Sequence, residues 1–155
     1  RFLYLGNKIV RVMIRIYEAT DSSDALFDAF ARLLPQLSDR LPLPCRETVA
    51  RVVASPNTRQ LLAVMGDGEV AGMLSIAFYD VPSGRKAWIE DVVVDAAVRG
   101  CGVGRALVRE ALAIARSEGA SRVMLTSNAS RAAAHRLYES MGFERYDTDC
   151  YRFDL

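Results

Sequence analysis

Trp88-Ile-Glu-Asp-Val-Val-Val94, then Arg99-Gly-Cys-Gly-Val-Gly104, then Arg105-Ala-Leu-Val-Arg-Glu-Ala-Leu-Ala-Ile-Ala-Arg-Ser-Glu118 is the stretch that decides the fold. The first part is rich in β-branched residues and reads as a strand. The last is strongly helical, and Leu107, Ala111, Ile114 and Ala115 give it one apolar face. Between them, Arg99–Gly104 is a glycine-rich turn. A turn of this kind presents backbone N–H groups at a helix N-terminus, where the donors and the helix dipole favour a phosphate. Glycines let the main chain approach the ligand with no Cβ in the way. The sequence therefore predicts a phosphate-bearing ligand at Arg99–Gly104.

The flanking sequence supplies the rest of a layered fold. Val12–Glu18 alternates apolar residues with Arg and Tyr and reads as a strand. Asp21-Ser-Ser-Asp24 can cap a helix over about Ala25–Leu34. Pro35, Pro42 and Pro44 break the chain before a second helix at Arg46–Ala54. Arg59–Met65 and Val70–Tyr79 are strand-like and joined by the hairpin signal Gly66-Asp-Gly68. Val81-Pro-Ser-Gly84 turns into a strand at about Lys86–Val94. A helix at about Gly104–Ser117 ends at Gly119. A short strand follows at Arg122–Thr126, then a helix at Ser130–Met141 stopped by Gly142. Phe143–Tyr146 and Cys150–Phe153 close the chain as an expected antiparallel pair. The order β-α-α-β-β-β-α-β-α-β-β implies an α/β (α+β layered) fold, with a mixed, mostly antiparallel central sheet flanked by helices. Met13 stands where the first strand begins, so residues 1–12 read as an N-terminal extension of a single domain over 1–155.

Bulk composition excludes several classes. The 155 residues suffice for one domain with a sizeable core, and 51% hydrophobic with 25% charged is a globular balance. Twenty basic and 19 acidic side chains leave a net charge of +1, without the basic excess of a nucleic-acid binder. No apolar run approaches the roughly 18 residues that cross a bilayer, and the N-terminus lacks the pattern of a signal peptide. Cys45, Cys101 and Cys150 are odd in number and widely spaced, which fits reduced thiols and a cytoplasmic location. His135 is the single histidine and no C-x-x-C occurs, so no metal is expected.

Spacing then narrows the phosphate ligand. A nucleoside-triphosphate loop needs Gly-Lys-Ser/Thr, but Gly104 is followed by Arg105-Ala106. A dinucleotide fingerprint needs G-x-G-x-x-G and an acid about 20 residues on. The spacing of Gly100, Gly102 and Gly104 is wrong, and Val123 and Met124 stand near that offset.

Arg99-x-x-Gly102-x-Gly104 instead resembles the acyl-CoA pyrophosphate loop of the GNAT superfamily of N-acetyltransferases, Gln/Arg-x-x-Gly-x-Gly/Ala. Other parts of that superfamily's pattern have counterparts in order. Val92-Val-Val94 is similar to its preceding strand, Leu125-Thr-Ser-Asn128 to its following strand ended by Asn, and Tyr138-Glu-Ser-Met-Gly-Phe143 to its Tyr-x-x-x-Gly-Phe. The element order agrees from Val12 onward, so the resemblance covers nearly the whole chain.

The resemblance implies transfer of an acetyl group from acetyl-CoA to a primary amine, by direct attack through a tetrahedral intermediate. A lysine-like amine, with a pKa of roughly 10, must lose a proton before it attacks. The departing thiolate benefits from a proton donor. By resemblance, Gly100, Cys101, Gly102, Val103, Gly104 and Arg105 would cradle the pyrophosphate, with Arg99 and Arg105 adding charge. Arg99 also reads as an exposed turn residue, and Cys101 as a tolerated small residue rather than a nucleophile. The backbone of Val92, Val93 and Val94 would pair with the pantetheine arm as an added strand does, the Val94 N–H polarising the thioester carbonyl. Strands before and after the loop splay apart in this superfamily to admit the cofactor. Asn128 would bond the pantetheine or, alternatively, serve as a helix cap or turn residue.

Tyr138 is the leading general acid and Glu90 the leading base. Strand alternation sets Glu90 on one face with Trp88 and Val92, and Asp91 on the other. A related Ile-Glu-Asp run occurs in glucosamine-6-phosphate N-acetyltransferases. His135, one turn before Tyr138, could share the cleft or be structural. Arg131 and Arg136 are candidates for the CoA 3′-phosphate, or ordinary exposed arginines.

Acceptor recognition would come from Ala25–Ala54 and Glu144–Asp154. Asp39, Glu47, Asp147 and Asp149 suit a cationic acceptor, and Arg40, Arg46 and Arg145 an anionic one. The Ser-Asn128…His-Arg-Leu-Tyr138 pattern is similar to aminoalkylphosphonate N-acetyltransferases, whose acceptors are small amines bearing an acidic group. A peptide amine, or a module that binds acyl-CoA without turnover, are the alternatives. Proteins of this fold often dimerise, and a homodimer is one expected assembly, with no nucleic-acid or membrane partner.

Overall fold

A computed structural model describes residues 2–5, 8–11, 13–38, 42–66 and 68–154. Its central sheet has five strands in the order β3-β4-β5-β6-β7. These are β3 (Ile14–Glu18), β4 (Thr58–Met65), β5 (Glu69–Val81), β6 (Gly84–Val94) and β7 (Val123–Leu125). The first four pair antiparallel and β7 runs parallel to β6, so the sheet is mixed and mostly antiparallel. Ahead of it, β1 (Phe2–Leu5) and β2 (Lys8–Arg11) pair antiparallel in a separate two-stranded sheet. Val12, Asp39, Arg40 and Asp67 lie outside the described residues.

Period-two alternation gives the sheet two apolar faces. On β4, Leu61 and Ala63 join one cluster, with Leu74, Ile76 and Ile89 of the sheet and Leu107, Val108 and Ala111 of α3 (Val103–Ser117). Leu62 points the other way, to Met73 and Val93 and to Leu26, Phe30 and Leu33 of α1 (Asp24–Leu37) and Val49 of α2 (Arg46–Ala54). Helices thus cover both faces, and α4 (Ala132–Glu139) adds Leu137 and Tyr138 to the α3 side.

Several boundaries differ from the sequence expectation. Ser23 Oγ accepts the Leu26 N–H and starts α1. The helix then runs through Pro35 to Leu37 instead of stopping at Leu34, and the Ser38 N–H closes its last turn on the Leu34 carbonyl at 3.3 Å. At α4, the Asn128 side chain takes the Ser130 N–H, forming a turn that delays the helix to Ala132.

The expected antiparallel pair at Phe143–Tyr146 and Cys150–Phe153 does not form. Phe143 N–H closes the end of α4 on the Tyr138 carbonyl at 3.1 Å, and its ring packs edge-on to Tyr138. From Glu144 to Asp154 every side chain is exposed, so no apolar face anchors a ladder.

Alternation along β6 also fails at one point. Met73 pairs with Val93 but Ser75 with Glu90, which leaves an extra residue on β6. Asp91 takes φ +49, the left-handed region, at this bulge. The bulge turns Val92 and Val94 to the α3 face, the face of Ile89, and sends Val93 to the α1 face. The expected common face of Trp88, Glu90 and Val92 is therefore corrected: Val92 lies on the opposite side from the one that unbroken alternation assigns.

Candidate active site

The glycine turn sits where the α3 side of the sheet meets the end of β6. After Val94, Asp95 N–H bonds the Ala71 carbonyl at 2.9 Å, and Ala96–Val98 form one 3-10 turn. Gly100 and Gly102 adopt φ +78 and +96, which favours glycine at both. Gly102 is the N-cap of α3, and the Ala106 N–H returns to its carbonyl at 3.0 Å. The N–H groups of Val103, Gly104 and Arg105 precede that bond and have no acceptor within the helix.

Gly104 is closely packed. A Cβ there would stand 3.1 Å from Leu137 Cδ2 and 3.5 Å from Val94 Cγ2. The position is where β6, α3 and α4 converge. Arg105 strengthens the junction by donating to Ser140 Oγ at 2.6 Å, at the C-terminus of α4. Arg99 is exposed and its Nε donates to the Val94 carbonyl at 3.4 Å. Cys101 is partly buried, with its thiol 3.9 Å from the Arg99 carbonyl.

Beside this turn the sheet opens. β6 and β7 pair only over Ala87–Ile89 against Val123–Leu125. β6 continues to Val94 while β7 ends, so Glu90–Val94 has no ladder partner on that side among the described residues. Asn128 lies beyond the end of β7. Its Oδ1 accepts both the N–H and the hydroxyl of Ser130, at 2.9 and 2.8 Å, which leaves the amide nitrogen as its remaining donor. Arg131, expected near a phosphate, instead donates to the Leu37 carbonyl at the end of α1, at 2.8 Å.

The titratable groups are perturbed mainly by burial. Desolvation raises the Glu90 carboxyl above its ordinary value, and the neighbouring Asp91 charge adds to it. The Trp88 indole N–H acts in the other direction. Asp91 is raised by desolvation. Tyr138 is pushed up by desolvation and pulled partly back by Arg131.

A cavity of about 990 Å³ runs along β7, the second half of α3, α4 and the segment from Met141 to Cys150. Trp88, Ser127, His135 and Tyr138 line it, and the Trp88 indole N–H and Ser127 Oγ are buried there without partners. Of the candidate residues expected from sequence, Tyr138, His135, Arg145 and Asp149 line this cavity. The glycine turn, Glu90, Asn128 and Arg131 lie outside its lining. No group of three or more His, Cys, Asp or Glu side chains suited to a metal occurs among the described residues. Among them, too, no helix is long and apolar enough to cross a membrane.

Residues 23–143 match the family model described as Acetyltransferase (GNAT) family. The chain belongs to the GNAT acetyltransferase family. Among solved structures, one described as an acetyltransferase from Agrobacterium tumefaciens str. C58 superposes with a TM-score of 0.80 at 24% identity, covering 90% of this chain and 99% of that one. Among curated relatives, mycothiol acetyltransferase of Thermobispora bispora is 50% identical over 58 residues, which is 37% of this chain and 20% of the relative. Glucosamine 6-phosphate N-acetyltransferase of Trypanosoma brucei brucei is 40% identical over 67 residues, 43% of each chain. The chain therefore spans less than half the length of these curated GNAT relatives.

Two features of this GNAT site were not readable beforehand. The bulge at Asp91 leaves no mark in a run of hydrophobic and acidic residues, since only glycine announces a positive φ. The ion pair between Arg32 of α1 and Asp95 joins residues far apart in sequence.

Proposed function

We propose that this chain transfers an acetyl group from acetyl-CoA to the primary amine of a small molecule, by direct attack of the amine on the thioester. The observation that carries the reading is the parting of β6 and β7 after Ile89 and Leu125, next to the unpaired N–H groups that open α3. The first feature offers main-chain groups to a pantetheine arm, and the second offers donors to a pyrophosphate.

In this reading the amides of Gly102–Arg105 bind the pyrophosphate, with Arg99 at the rim and the Cys101 N–H held by the Val98 carbonyl. The main chain of Val92–Val94 aligns the thioester, and the Val94 N–H faces its carbonyl oxygen. Asn128 contributes its amide nitrogen to the pantetheine. Glu90 accepts the proton of the incoming ammonium, directly or through a water; its raised pKa brings it closer to the pH at which it works. Tyr138 stays protonated because burial disfavours the phenolate, and it delivers its proton to the departing sulfur. Arg131 acts through Tyr138 more than through a phosphate, given its bond to Leu37.

A small acceptor is supported by the open cleft lined by Tyr138, whose buried Ser127 hydroxyl can bond a polar molecule. The relatives named mycothiol acetyltransferase and glucosamine 6-phosphate N-acetyltransferase support the same acceptor class. The test is an amine panel with acetyl-CoA, read by thiol release, beside calorimetry with CoA alone. Thiol release with a small amine is the expected result. CoA binding without release from any amine in the panel would replace the enzyme by a binding module.

A further inference from the structure

The turn that feeds the glycine loop is held from the other face of the sheet. Arg32 of α1 forms an ion pair with Asp95 and donates through its second nitrogen to the Val70 carbonyl at 2.5 Å. One turn later, Gln36 Oε1 accepts the Ala96 N–H at 2.8 Å. Asp95 passes the restraint forward. Its Oδ1 accepts the Ala97 N–H at 3.0 Å, its carbonyl accepts the Val98 N–H at 3.0 Å, and the Val98 carbonyl accepts the Cys101 N–H at 3.3 Å. Side chains of α1 are thus joined by consecutive hydrogen bonds to Arg99–Gly104.

This link answers a physical problem of the loop. Gly100, Gly102 and Gly104 give the main chain the freedom that its left-handed turns and close packing need. The same freedom makes a converged set of N–H groups costly to order when a phosphate binds. Fixing the entry of the loop in the unliganded protein moves that cost from binding to folding. Asp95 suits the task because its side chain is only 18% exposed, so its pairing with Arg32 is poorly screened.

We propose that Arg32 and Gln36 are positioning residues for acyl-CoA. They hold Asp95 and Ala96 so that the amides of the loop are already aimed at the pyrophosphate, and they do not touch the ligand. The inference rests on the acetyl-CoA reading above. It also joins α1, on the acceptor side in the sequence reading, to the donor loop.

The experiment measures CoA affinity by calorimetry and amide hydrogen exchange on the same variants. Arg32→Met should weaken CoA by about tenfold and speed exchange over residues 95–105, leaving β4 and β5 unchanged, as expected when pre-organisation is lost. Arg32→Lys, which keeps a charge and a donor, should recover part of the affinity. Gln36→Leu should weaken CoA by about threefold, and Gln36→Glu, which keeps an acceptor for Ala96, should restore it. This second pair carries the test if Arg32→Met does not fold. Unchanged CoA affinity in folded variants would overturn the proposal, as would a loss accompanied by faster exchange throughout the sheet. Wild-type protein that binds no CoA would instead overturn the acetyl-CoA reading itself.

Discussion

Tyr138 and Glu90 carry the chemistry in the proposed reaction, and each has a separable signature. Tyr138→Phe should leave CoA affinity unchanged and lower turnover by about 10²-fold or more, the usual worth of a placed general acid. Calorimetry and thiol release on the same preparation check both halves. Burial raises the tyrosine, so wild-type turnover should hold through neutral pH and fall only on the strongly alkaline side. Removing the Arg131 charge should move that fall to still higher pH. For Glu90 the acid side matters. Its carboxyl is raised by desolvation and by Asp91, so Asp91→Asn should shift the acidic limb of the rate profile downward.

The same shift has a consequence for stability. A carboxyl whose folded pKa lies above its unfolded value binds more protons in the folded state, so stability falls as pH rises through that window. Glu90→Gln should therefore melt slightly higher than wild type at neutral pH, and the difference should vanish below the unfolded value of about 4.3. Thermal melts at the two pH values decide this.

At the scale of elements, close packing makes sharper demands than conformation does. A Cβ on Gly72 would lie 2.7 Å from the Val93 carbonyl and 3.0 Å from Val103 Cγ1, in the ladder beside the Asp91 bulge. Gly72→Ala should cost about 2 kcal/mol by denaturant melts, as overpacking does. It should also weaken CoA, since α3 and β6 must separate there. At the far end of α3, Glu118 accepts from Arg59 at 2.8 Å and from Arg85 at 3.2 Å. The two guanidinium groups also flank Phe78, at 6.0 and 5.3 Å from its ring. Glu118→Ala leaves two partly buried cations short of an acceptor, and should cost about 2 kcal/mol with CoA affinity unchanged.

At the scale of the whole molecule, ligand binding and folding are linked. Under the proposed reading, CoA at a hundred times its Kd should stabilise the fold by about 2.7 kcal/mol. Gly102→Val should abolish that shift in thermal melts, because a β-branched residue at φ +96 is strained and disturbs the cradle. Much of the architecture behind this was legible in the residues. The glycine turn between a β-branched run and an amphipathic stretch marked β6 and α3, and Arg46–Ala54 was legible to its ends. These elements are set by local periodicity and turn chemistry, which the sequence writes directly.

What the sequence by itself determined was the order of elements from β3 to α4 and the helix-flanked, mostly antiparallel sheet, because each depends on neighbours within a few residues. Only the tertiary structure decided the face of Val92 and Val94, since a left-handed aspartate at a bulge overrides alternation. It decided the fate of Phe143–Phe153, where strand-like residues found no ladder to join. It also brought Arg32 to Asp95 and Arg131 to Leu37, pairings between distant segments. Such contacts follow from where the packed layers meet, which no local pattern encodes.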